Sequence, residues 1–91
     1  MTFIVARLGV GDFDEWKKMF DSDPAGRAQT GKGHRLLRNV EDPNEVLVAV
    51  EFPSVDDARE FQERLRTSGA LDRIEVKAGP TIAEEVETVT Y

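Results

Sequence analysis

The sequence contains no cysteine and only one histidine, which limits the metal chemistry that the chain can support. Without cysteine, neither disulfide bonds nor thiolate metal sites are available. A zinc site within one chain would need carboxylates for all its protein ligands but one, whereas zinc sites are built mainly from Cys and His. The composition therefore predicts a protein without a metal ion.

Long apolar runs are also missing. No window approaches the roughly 20 apolar residues that a membrane-spanning helix requires. The first ten residues, MTFIVARLGV, lack the basic start and the apolar run of a signal peptide. We therefore expect a cytoplasmic protein that does not interact with membranes.

Acidic side chains are absent from one part of an otherwise acidic chain. The net charge is −6, yet no Asp or Glu lies between Asp23 and Glu41. The same stretch contains four basic residues, namely Arg27, Lys32, Arg35 and Arg38. Nucleic-acid affinity depends on neutralising phosphates, so an acidic protein is a poor candidate for it. The basic stretch instead favours a small anion or an acidic surface on a partner subunit.

A nucleotide cofactor is not predicted either. Gly31-Lys32-Gly33 resembles an anion-binding loop, but it lacks the longer glycine fingerprint and precedes a strand rather than a helix. The 91 residues are enough for a single domain, residues 1–91. Size scaling predicts that folding buries about 64% of the surface that the unfolded chain exposes. Association with a second subunit would bury more.

The apolar pattern predicts four strands and two main helices. The strands are expected at Thr2 to Leu8, His34 to Val40, Val46 to Phe52 and Thr81 to Tyr91. Capping-box spacings, Asp12 with Glu15 and Ser54 with Asp57, begin the two helices. The first helix is expected at Asp12 to Ser22, and a further helical piece at Ala70 to Lys77.

This order, βαββαβ, is the ferredoxin-like pattern of the α+β class. Right-handed crossovers then place both helices on one face of a four-stranded antiparallel sheet. If the central hairpin closes over two residues, Val40 pairs with Leu47, whereas a three-residue loop would exchange the hairpin's faces. In the first case the uncovered face is too apolar for water. Its members are His34, Leu36, Arg38, Val40, Leu47, Ala49 and Glu51, with Phe3, Val5 and Arg7 from the first strand. A second subunit that packs sheet against sheet would cover it.

At this point the chain resembles the dimeric α/β-barrel superfamily, in particular small proteins similar to antibiotic biosynthesis monooxygenases and polyketide cyclases. The resemblance covers most of the chain. It is carried by Asp12-Phe13-Asp14-Glu15-Trp16 with Phe20, Arg27 and Gly31, Leu37-Arg38-Asn39 before Asp42-Pro43-Asn44, and Val48-Glu51-Phe52 before Ala58 and Phe61. It implies a homodimer with a pocket in each subunit and a small aromatic or polyketide-like ligand.

The sequence departs from these families at their functional residues. Monooxygenases of this type carry a histidine-containing pattern on the second helix, and Phe61 to Leu65 contains none. Haem-degrading relatives use a helix histidine and an asparagine on an early strand, and the corresponding stretches contain neither. These departures argue against haem binding, and we expect no cofactor.

His34 is the candidate catalytic residue, because its unperturbed pKa suits general acid–base chemistry near neutral pH. It would take a proton from an enolisable or phenolic substrate, with Arg38 holding the resulting oxyanion. The alternative is a partly exposed histidine at a strand end. Arg7, Arg38 and Glu51 are predicted to meet on one sheet face, either as a ligand anchor or as a structural ion pair.

Two further residues are candidates for ligand binding. Trp16 has the helical spacing of a core residue, but it could also line a pocket and stack on an aromatic ligand. Arg27 either clamps a carboxylate above that pocket or is a surface arginine. Together these residues predict a homodimer that binds a small aromatic or anionic metabolite, with cyclase, isomerase or oxygenase-like chemistry. The alternative is a non-enzymatic ligand-sensing or assembly module.

Overall fold

A computed structural model describes all 91 residues. Its elements are β1 (Thr2–Gly9), α1 (Phe13–Asp21), a 3-10 turn (Arg27–Gln29), β2 (Gly33–Arg38), β3 (Glu45–Phe52), α2 (Val55–Thr67) and β4 (Glu75–Glu84). The four strands form one antiparallel sheet in the order β2-β3-β1-β4. This is the ferredoxin-like α+β fold, as the sequence predicted. Neither helix has the length and apolar character that crossing a membrane would require.

Both helices begin where the capping boxes predicted. The Asp12 carboxylate accepts a hydrogen bond from the Glu15 amide at 3.1 Å, and the Ser54 hydroxyl accepts one from the Asp57 amide at 3.2 Å. Each bond satisfies one of the backbone donors that a helix leaves free at its start, and such a cap contributes about 1 kcal/mol.

The core lies between the helices and one face of the sheet, which we call the helix face. Trp16 and Phe20 of α1 pack with Leu8 and Val46, and Phe61 of α2 packs with Phe52. Alternate residues of β1 and β3 supply this face, because successive strand side chains point to opposite sides. The buried strand residues of this face are Thr2, Ile4, Leu8, Val46, Val50 and Phe52; Glu45 is also buried, but on the opposite side of β3. Two helices therefore cover a single face, as predicted.

The opposite face, which we call the open face, is covered by neither helix. Its members on the three adjoining strands are Phe3, Val5, Arg7, Arg35, Leu37, Leu47, Ala49 and Glu51. Val5, Leu37 and Leu47 are 37%, 57% and 40% exposed. An uncovered apolar face was predicted, and it is present, although one of its strands presents different residues from those expected.

The difference arises from the register of the β2–β3 hairpin. Leu37 pairs with Leu47, whereas a two-residue loop would have paired Val40 with Leu47. Asn39 sets the register through two hydrogen bonds to Glu45. Its backbone amide donates to the Glu45 carbonyl oxygen at 2.9 Å, and its side-chain amide donates to the Glu45 carboxylate at 3.1 Å. The loop therefore spans residues 40–44. A shift by an odd number of residues reverses the face of every side chain in the strand.

The two-residue-loop prediction is thus wrong for β2. His34, Leu36 and Arg38 lie opposite Val50, Val48 and Val46 on the helix face. Arg35 and Leu37 take their places on the open face.

The helical piece predicted at Ala70 to Lys77 is also wrong. Residues 69–73 form only a turn, and β4 begins at Glu75 and ends at Glu84. The strand continues through Gly79-Pro80, a cis peptide bond, where the pairing with β1 shifts between Val5 and Arg7. Gly79 has a φ of 79°, and a Cβ there would lie 2.4 Å from the Val5 carbonyl oxygen, so the position requires glycine. Glu85–Tyr91, predicted as strand, form no regular element.

Candidate functional site

A cavity of about 70 Å³ lies between the two helices and the helix face of the sheet. Its floor is formed by β1 and β3, and its aromatic wall by Trp16, Phe20 and Phe61. The other apolar lining residues are Ile4, Ala6, Leu8, Met19, Pro24, Ala25, Val48, Val50, Leu65, Ala70, Leu71 and Pro80. A single water molecule needs roughly 10–15 Å³ of such volume, so the cavity exceeds a one-water void.

Trp16 is both a core residue and a cavity-lining residue, the two roles that its helical spacing allowed. The side chain is 5% exposed and packs against Leu8 and Val46 in the core. It also lines the cavity, with its ring centroid 5.0 Å from that of Phe20. As the only tryptophan of the chain, it reports on whatever occupies this space.

The only charged residues that line the cavity are Asp23 and Arg27. The Asp23 carboxylate accepts hydrogen bonds from the backbone amides of Arg27 at 2.6 Å and Ala28 at 2.9 Å. Arg27 Nη1 lies 3.5 Å from the same carboxylate, and the guanidinium carbon lies 3.8 Å from the centroid of the Phe20 ring. Arg27 is therefore matched by an internal carboxylate and an aromatic ring, which reduces its capacity to clamp an external anion.

Hydrogen bonding outweighs burial at Asp23. Burial raises the pKa of its carboxyl group, but the Ala28 and Arg27 amides and the charges of Arg27 and Arg64 together lower that pKa below its ordinary value. The carboxylate is thus held ionised and is a weak proton acceptor at neutral pH.

Arg64 of α2 holds the loop that follows α1. Its Nε donates to the Ala25 carbonyl at 2.9 Å, and its Nη2 donates to the Gly26 carbonyl at 3.4 Å. Neither Asp23 nor Arg64 was among the residues predicted for a site. For Asp23 the available signal was the spacing Asp-Pro-Ala-Gly-Arg, in which an Asp can accept amides of the turn that follows it. For Arg64 no local pattern indicates a contact 39 residues away.

His34 lies beside the cavity but does not line it. Its ring meets Phe20 edge-on, with centroids 5.0 Å apart and planes at 80°. Burial and the charges of Arg27 and Lys17 lower the pKa of the imidazole, against a smaller opposing effect of Asp21 and Asp23. Phe20 therefore stands between the histidine and the cavity, and the histidine is mainly neutral near pH 7.

The other candidate residues are separated from one another. Arg38 lies on the helix face with its guanidinium carbon 4.9 Å from the Phe13 ring centroid. Arg7 lies on the open face and pairs with Glu45 at 3.1 Å, where Lys77 also approaches at 3.4 Å. Glu51 lies on the open face without an ion-pair partner. The prediction that Arg7, Arg38 and Glu51 meet is wrong, because Arg38 is on the opposite side of the sheet.

The site thus consists of an apolar cavity with one internally paired polar end, flanked by His34. No group of three or more His, Asp or Glu side chains is arranged to hold a metal ion. Comparison of the sequence with known protein families and with curated proteins gives no match.

Proposed function

We propose that the protein binds a small, uncharged, flat molecule in the cavity between the helices and the sheet. The observation that carries the proposal is the lining itself. It is apolar except at the Asp23–Arg27 end and includes the rings of Trp16, Phe20 and Phe61. Concave apolar sites with a few polar groups are the usual form of small-molecule pockets. Aromatic walls favour a ring stacked or edge-on against them.

The volume and the charge pattern limit the ligand. About 70 Å³ suits one small ring or a short alkyl group, and it does not suit a fused polycyclic molecule. Because Asp23 already neutralises Arg27, an anionic group buried here would lack a free cation and would be costly to desolvate. Of the two predicted ligand classes, aromatic and anionic, these contacts favour the aromatic one.

The open face supports the second part of the proposal, a homodimer of the sheet-to-sheet type. Leu37 and Leu47 are opposite each other on β2 and β3, and Val5 adjoins them on β1. Charge complementarity favours a second copy as the cover. Arg35 lies on this face at the β2 side, and Glu85 and Glu87 lie beyond the end of β4. Stacking β2 of one copy over β4 of the other brings these opposite charges together. Sedimentation equilibrium should give the mass of two 10.2-kDa chains.

Membership of the dimeric α/β-barrel superfamily belongs to the same proposal. Its support is the β2-β3-β1-β4 sheet with both helices on one face and apolar residues on the other. Catalysis by His34 stays a separate prediction. Since Phe20 separates His34 from the cavity, we expect His34→Ala to leave ligand affinity unchanged. A loss of turnover of an identified substrate would support its catalytic role, and retained turnover would contradict it.

The binding proposal is tested with 4-bromophenol, whose bromine quenches tryptophan fluorescence on contact. Titration should quench Trp16 saturably. At ten times the Kd, binding to the folded state alone adds about 1.4 kcal/mol of stability. For a domain of this size that raises Tm by about 5–10 °C.

Two alanine-to-leucine substitutions locate the binding. Ala6 lines the cavity, so Ala6→Leu should fill part of the space and abolish saturable quenching. Ala28 is exposed outside the cavity, so Ala28→Leu should bind as the wild type does. Equal quenching of wild type and Ala6→Leu would contradict binding in the cavity.

A further inference from the structure

Beside the carboxyl-terminal half of α2, the cavity adjoins the protein surface. An external groove of about 460 Å³ lies there, bordered by α2, the turn of residues 69–73 and the Gly79-Pro80 bulge. Three residues, Leu65, Leu71 and Pro80, line both the groove and the cavity. These three side chains therefore lie between the two spaces.

The wall at this place is also weakly held. Leu71 belongs to a turn whose backbone hydrogen bonds are Asp72 to Gly69 at 3.1 Å and Ile74 to Leu71 at 3.5 Å. The loop after α1, in contrast, is fixed by the hydrogen bonds of Asp23 and Arg64. Segments with few internal bonds open at a lower free-energy cost than helices and strands. The Leu71 turn is therefore the part of the wall that opens most readily.

The rim of the groove is polar, unlike the cavity. It is formed by Gln62, Arg66 and Asp72, and Gln62 Nε2 donates to the Pro80 carbonyl at 2.9 Å. A molecule whose ring fills the cavity and whose tail leaves between Leu65 and Leu71 would place its far end among these side chains. A hydrogen-bonding group in that position keeps its polar contacts, whereas the same group inside the cavity would lose them.

We propose that ligands enter between Leu65, Leu71 and Pro80 and that the ligand is amphipathic, with its apolar ring in the cavity and an uncharged hydrogen-bonding end at Gln62, Arg66 and Asp72. This inference rests on the proposed binding function and deepens it, since it assigns the entrance and the chemical class of the ligand. The rim supplies an amide, a cation and an anion, and a hydroxyl or amide group can both donate to and accept from such a set.

The entrance is tested by stopped-flow quenching of Trp16 with 4-bromophenol. Leu71→Ala should increase the association and dissociation rate constants together, each about tenfold, which corresponds to about 1.4 kcal/mol of barrier. Leu36→Ala is the matched control. Leu36 is likewise a partly buried leucine that packs on the same core cluster, but it lines neither the cavity nor the groove. It should change the rates much less. Leu71→Val, a smaller truncation, should shift both rates in the same direction if Leu71→Ala does not fold.

The position of the polar end is tested with 3-(4-bromophenyl)propan-1-ol beside 4-bromophenol. Arg66→Ala and Asp72→Ala should each lower the binding affinity for the alcohol by about fivefold, which is the effect of losing one hydrogen bond. They should leave 4-bromophenol unchanged, because it is too short to reach the rim.

Three results would overturn the inference. Unchanged 4-bromophenol rates in both Leu71 variants would show another entrance, and equal loss of both probes in the rim variants would show a structural effect. If 4-bromophenol still quenches Trp16 of the wild type saturably, the proposed function survives either of these results. If neither probe quenches Trp16 at any concentration, the proposed function fails and the entrance with it.

Discussion

On β1, Ile4 and Leu8 are 3% and 5% exposed, whereas Val5, which lies between them in sequence, is 37% exposed. Residues of similar size on one strand thus have different surroundings. The helix face is sealed by Trp16 and Phe61 of the helices, while the open face presents its apolar residues to the solvent in a single chain. Scattered exposed apolar residues are ordinary, but a contiguous apolar sheet face is typical of an interaction surface. One side of the sheet therefore holds the core, and the other supports the proposed dimer.

Removal of a large side chain from each face should give the largest effect and separate these roles. Phe52 is 0% exposed and packs against Phe61, so Phe52→Ala should lower the free energy of unfolding by about 3–5 kcal/mol. Leu47→Ala on the open face should cost far less in dilute solution and more as the protein concentration rises. Urea unfolding at two protein concentrations measures both. A concentration-independent loss at Leu47 equal to that at Phe52 would abolish the distinction between the faces.

A charge on the open face should break the proposed dimer. Leu37 is 57% exposed in one chain, so Leu37→Glu should leave the chain folded but disfavour burial of this surface against a second copy. Sedimentation equilibrium should then show a single 10.2-kDa chain with an unchanged circular dichroism spectrum.

Val40→Glu is the control, because Val40 is 98% exposed in the hairpin loop outside both faces. It should remain a dimer. A wild type that sediments as one chain at all concentrations would contradict the proposed assembly.

The ionisation of Glu45, on the open face, should make the free energy of unfolding depend on pH in the acidic range. Hydrogen bonds from Asn39 and Lys77 and the charges of Lys77 and Arg7 lower its pKa, despite an opposing effect of burial. The unfolded chain, with an ordinary value of 4.5, is then protonated before the folded one. The contribution of Glu45 is therefore present above about pH 4.5 and lost as the pH falls through the lower folded pKa.

Glu45→Gln should accordingly be less stable than the wild type near pH 7, and the two should converge in acid. Urea unfolding as a function of pH measures this difference. Glu60→Gln, on the exposed side of α2 and in none of the ion pairs, should follow the wild type throughout. A constant difference between wild type and Glu45→Gln at all pH values would mean that the carboxylate acts through shape rather than charge.

Local patterns predicted the element order and both helix starts, because caps and apolar periodicity depend on residues three or four positions apart. They failed where distant contacts decide the structure. Asn39 sets the hairpin register through Glu45, and Glu75 to Lys77 pair with β1 as a strand rather than forming a helix. Each outcome depends on a partner that the local pattern does not identify.

The candidate site was predicted in part for the same reason. Trp16 and Arg27 do line one cavity, since Trp16 lies in α1 and Arg27 in the loop that follows it. Arg38 moved to the helix face with the register of β2, away from Arg7 and Glu51. His34 moved to the same face, but at the sheet edge it still lines a surface groove together with Glu51. A single odd-numbered shift in one loop therefore divided the predicted cluster between two sides of the sheet.

The smallest expected effect concerns His34, at the edge of the helix face. Burial and the nearby charges of Arg27 and Lys17 disfavour the imidazolium form of His34. An NMR titration of this single histidine should therefore give a pKa below the ordinary 6.5. Arg27→Met should raise that pKa, and Lys17→Met should raise it less. Arg38→Met is the control, since Arg38 lies over Phe13 rather than Phe20 and should leave the titration unchanged. Equal shifts from Arg27→Met and Arg38→Met would mean that His34 senses the net charge of the chain, and the Phe20 contact that places it beside the cavity would lose its support.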